Sequence, residues 1–66
     1  MNERHLLYQL GVAYRTIRYY QASGANPDVR DQLLQMASNL TGTKHQTLSE
    51  AISEIEMKIA KLRTGA

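Results

Sequence analysis

Residue types that do chemistry are sparse and scattered along this chain of 66 residues. Its two histidines, His5 and His45, lack the paired helical spacing that puts two metal ligands on one face. Ser38, Ser49 and Ser53 have no histidine at a spacing that would make a nucleophile and its base. Glu50, Glu54 and Glu56 sit among Lys58, Lys61 and Arg63, which is the pattern of a solvated helix face. There is no cysteine, so disulfides and thiolate chemistry are excluded. No glycine loop that could cradle a phosphate appears. We expect no catalytic residue, no metal and no cofactor.

The residues that do stand out are aromatic and basic. The stretch YRTIRYYQ, residues 14–21, interleaves three of the four tyrosines with two arginines. At about 100° per residue on a helix, Tyr14 and Tyr20 fall at the edges of the apolar stripe Leu6, Leu10 and Ile17. Their rings belong at the edge of a core with the hydroxyls in water. Tyr8 and Tyr19 point the other way, with Val12 and Arg15 between them, Arg4 and Arg18 at the flanks, and Gly11 opening a small gap.

Such a face has a bland explanation: Arg4 beside Tyr8 and Arg15 beside Tyr19, each pair one helical turn apart, solvating the helix. Against it, two tyrosines and a valine aligned opposite the core make an apolar patch that a monomer has little reason to expose. Tyrosine with arginine is also the composition of interface hot spots. Tyr8, Val12, Arg15, Arg18 and Tyr19 are therefore the candidate partner-binding residues. Leu34 and Met57 likewise fall off their apolar stripes, as further surface for an assembly to cover.

The elements that would position these residues are marked by caps. Gly24, Gly42 and Gly65 each follow a stretch of helical periodicity, where a left-handed C-cap is wanted. Asn26 suits an N-cap, Pro27 the first helical position and Asp28 the positive helix end. Thr47 and Glu50 have capping-box spacing. These signals predict helices at about residues 3–23, 27–41 and 47–63. Nothing alternates with period two, so the fold class is all-α, in one domain over residues 1–66.

The expected core is Leu6, Leu10, Ile17, Leu33, Met36, Leu40, Ile52, Ile55, Ile59 and Leu62. Short connections favour an antiparallel bundle. A stapleless chain of this length is near the lower limit for folding around its own core, which favours a symmetric dimer.

The start, MNERHLLYQL, is neither a secretory signal nor a membrane span, and nothing later approaches a span in length. We expect a soluble cytoplasmic protein that does not engage membranes. The net charge of +2 is too small to announce a nucleic-acid binder. Residues 33–52 resemble a helix-turn-helix only loosely. The connection at 42–46 is long for that tight turn, and Ser49, Glu50 and Ser53 offer nothing to read guanine. The expected function is a non-catalytic helical protein–protein interaction module, a small adaptor or regulator, using the aromatic and basic face of the first helix. The alternative is a small nucleic-acid-binding regulator that uses the same arginines for phosphate and the tyrosines for stacking.

Overall fold

Three helices account for most of the chain. A computed structural model describes residues 3–64, in which α1 spans Glu3–Ser23, α2 Pro27–Thr41 and α3 Leu48–Thr64. There is no strand among the described residues. Gly65, expected to end the third helix, lies outside them.

The caps act largely as their residue types dictate. Asn26 is extended, and its Oδ1 accepts a hydrogen bond from the Val29 N–H at 2.8 Å, satisfying a donor the first turn of α2 leaves open. Pro27 opens the helix and Asp28 lies in its first turn. Gly42 ends it at φ 79°, donating its N–H to the Ser38 carbonyl at 2.8 Å. Gly24 closes α1 in the same way, at φ 95°, onto Tyr20.

The capping box before α3 forms only in part. The Glu50 N–H donates to Thr47 Oγ1 at 3.1 Å. The Glu50 carboxylate, however, accepts from the Gln46 N–H at 2.8 Å, one residue earlier than the motif anticipates. The cap thus also secures the incoming loop.

The centre of the molecule is made by Leu10, Ala13 and Ile17 of α1, Leu33 and Ala37 of α2, and Ala51, Ile52 and Ile55 of α3. Small alanines on all three helices let the backbones approach closely. Of the expected core, Leu10, Ile17, Leu33, Ile52 and Ile55 are buried. Leu6, Met36, Leu40, Ile59 and Leu62 pack against that centre but are only partly covered. Tyr14 and Tyr20 border the core in the same way. Leu34 departs from expectation: it is half-buried against the core rather than exposed.

The 42–47 connection runs past Leu34. Instead of leaving α2, it turns back along it. The Thr41 hydroxyl bonds to the Ala37 carbonyl at 2.8 Å and lies 3.1 Å from His45 Nε2. Lys44 and His45 then border the same depression as Leu34 and Ser38. His45 is a loop anchor. At the other end of α1, Gln21 Nε2 donates to Ser49 Oγ at 2.9 Å, tying α1 to the first turn of α3. Among the described residues no helix is long and apolar enough to cross a membrane.

Candidate interaction surface

Burial of Leu10, Ala13 and Ile17 fixes how α1 is rotated. The same periodicity that turns these inward turns Tyr8, Val12, Arg15 and Tyr19 outward, within a sector of about 60°. Tyr8 is 70% exposed, Val12 45% and Tyr19 65%, and Arg15 is exposed with them. Among the described residues these are three of the four large apolar side chains that are exposed; Met57 on α3 is the fourth.

Arg18 is placed differently. Its guanidinium lies 5.7 Å from the centroid of the Tyr14 ring and donates to the Tyr14 hydroxyl at 3.4 Å. It is therefore turned towards the edge of the core and away from the Tyr8–Tyr19 crest. Tyr19 meets Tyr20 edge-on, with ring centroids 5.2 Å apart. One tyrosine–arginine pairing a turn apart, Tyr14 with Arg18, thus lies at the core edge.

Beside the crest, α1 and α2 enclose an open groove of about 630 Å³. Tyr8 and Val12 form one wall and Met36 and Leu40 the other, with the amides of Gln9, Gln32, Gln35 and Asn39 around them. Gln35 Nε2 donates to Asn39 Oδ1 at 3.0 Å, so the rim amides on α2 are ordered by each other. None of the lining residues is ionisable except Tyr8 through its phenol. Residues 5–14 and 32–43, which supply this surface, carry no lysine, arginine, aspartate or glutamate. An ordinary solvated surface carries roughly 25–35% such residues. Depletion of charge with tyrosine and methionine present is the composition of an interface core.

The contribution of α2 escaped sequence reasoning, which looked along one helix at a time. The gap in charge from 32 to 43 was the available signal. Gly11 adds another. It lies in the interior of α1, where glycine costs about 1 kcal/mol relative to alanine. A Cβ built there would meet nothing within 4 Å. No internal contact requires this glycine.

The polar groups elsewhere do not converge. His5 is exposed, His45 is bonded to Thr41, and Glu50 caps the loop at Gln46. Among the described residues no group of three or more histidines, cysteines and carboxylates could hold a metal ion. Comparison with protein-family models, with curated proteins and with solved structures gives no match.

Proposed function

We propose that the chain is a non-catalytic helical protein–protein interaction module, a small cytoplasmic adaptor or regulator, which works through the outer face of α1 and self-associates as a symmetric dimer. The observation that carries this is the exposure of Tyr8 and Val12 beside a groove without charge. Rigid tyrosine rings give contact area at small entropic cost, and Arg15 orients the incoming surface. Arg18, engaged with Tyr14, contributes at the flank. In this arrangement α1 runs antiparallel to both neighbours. Supporting that order, Gln21 meets Ser49, Tyr8 shares a groove with Leu40, and Tyr14 shares a depression with Arg63.

The nucleic-acid alternative has less behind it. Of the arginines it would use, Arg4 and Arg15 lie on the crest with no lysine or arginine between them, and the guanidinium of Arg18 is turned to Tyr14.

Replacing Tyr8 and Tyr19 together with serine tests the module. The double variant keeps its helical circular dichroism, because neither ring is in the core. Association, with itself or with a protein partner, weakens about tenfold or more for each tyrosine, the usual cost of truncating a hot spot. Unchanged association in both assays would make the face an ordinary solvated one.

A further inference from the structure

The crest of α1 has an order that selects its own partner. Along it lie Arg4, Tyr8, the Gly11–Val12 pair, Arg15 and Tyr19. Tyr8 and Arg15 are equidistant from the midpoint between Gly11 and Val12, about 5 Å along the axis on either side. Arg4 and Tyr19 are likewise equidistant, at about 11 Å. Turning the helix end over end about that midpoint lays Arg4 on Tyr19, Arg15 on Tyr8 and Val12 on Gly11. The series is complementary to itself when reversed.

We infer that the occupant of this face is a second copy of the chain, with the two α1 helices antiparallel and crossing at Gly11 and Val12. This rests on the reading of the face as an interaction surface and names its partner. In that register Arg15 of each copy lies over Tyr8 of the other, and Arg4 over Tyr19, as cation–π pairs. Parallel pairing instead opposes Arg4 to Arg4 and Arg15 to Arg15 in a chain that already carries a charge of +2. Sliding the antiparallel pair by a turn opposes Arg15 to Arg4 or leaves it against Val12.

Gly11 supplies an independent argument. The fold has no use for a glycine there, since a Cβ would meet open space. The crossing does use it, because Val12 of the second copy needs that space for the helix backbones to approach. Size agrees as well. A stable interface takes about 800 Å² from each partner. The molecule measures 38 × 19 × 17 Å, so the whole long side is required, with the second α1 leaning into the α1–α2 groove over Met36 and Leu40.

A swap of residue types tests the register. The dimer dissociation constant is measured by dilution calorimetry on the full chain, with circular dichroism to confirm the fold. Tyr8→Arg sets an arginine opposite Arg15 of the second copy and weakens the dimer at least about tenfold. Adding Arg15→Tyr to that variant restores the constant to within about threefold, because each arginine again faces a tyrosine. Gly11→Leu, which fits the helix, removes dimerisation while helicity is kept.

Three results would overturn the inference: variants that all dimerise like the parent, a double swap no tighter than Tyr8→Arg alone, or a parent that does not dimerise. If the parent is monomeric while Tyr8→Ser with Tyr19→Ser abolishes binding to another protein, self-pairing fails and the interaction-module reading survives.

Discussion

Ile55 has no exposed surface, and with Leu10 and Ile17 it is one of three large side chains wholly enclosed among the described residues. A core with so few large members has little redundancy. Truncating Ile55 removes three carbons from the point where the helices meet, and the neighbours cannot collapse fully into the space. Ile55→Ala should cost about 2–5 kcal/mol, a large share of the 5–15 kcal/mol typical of a domain. In urea titration the midpoint falls sharply, or the variant is unfolded in buffer. Ile59→Ala, at a half-buried position one turn on, loses less. An unchanged midpoint for Ile55→Ala would refute the assignment of the core. Helical spacing located Ile55, Leu10 and Ile17 because only one face of each helix is continuously apolar. It passed over Ala51 because alanine is common on every face, and burial of a methyl group leaves no pattern.

Two glycines with opposite roles separate the interior of an element from its end. Gly42 holds φ at 79°, where an L-residue strains, so Gly42→Ala destabilises by about 1–2 kcal/mol. Gly11 is in the interior of α1, facing open space, so Gly11→Ala stabilises the isolated chain by up to about 1 kcal/mol. Thermal unfolding at concentrations too low for association checks both, and a loss of stability for Gly11→Ala would show that the single chain needs this glycine. The ends of α2 could be anticipated because Asn26, Pro27 and Gly42 act through their own backbone geometry. The loop after it could not. The path of residues 42–47 depends on the bond between Thr41 and His45 and on Glu50 holding Gln46, contacts that the spacing of apolar residues does not encode. Leu34 was misplaced because a wheel of α2 alone does not show which side the neighbouring elements cover, and Leu34 is half-buried against the core. The groove was hidden for a related reason, because its two walls, Tyr8 with Val12 and Met36 with Leu40, come from different helices.

At the scale of the whole molecule, the distribution of charge and the incompleteness of the core point the same way. Met36 and Leu40, expected inside, are only partly covered, and they face the groove on the side without charge. Charged residues lie mainly along α3 and at the start of α2, while Arg4 and Arg15 flank the groove on the crest of α1. A second molecule on this side would cover Tyr8, Val12, Met36 and Leu40 together. The central claim is therefore that the outer face of α1 is an interface between copies of this chain. Sedimentation equilibrium of the unmodified full chain at micromolar concentration tests it most directly. The expected mass is twice 7.5 kDa, falling towards the single-chain value on dilution, whereas 7.5 kDa at every concentration would contradict the dimer.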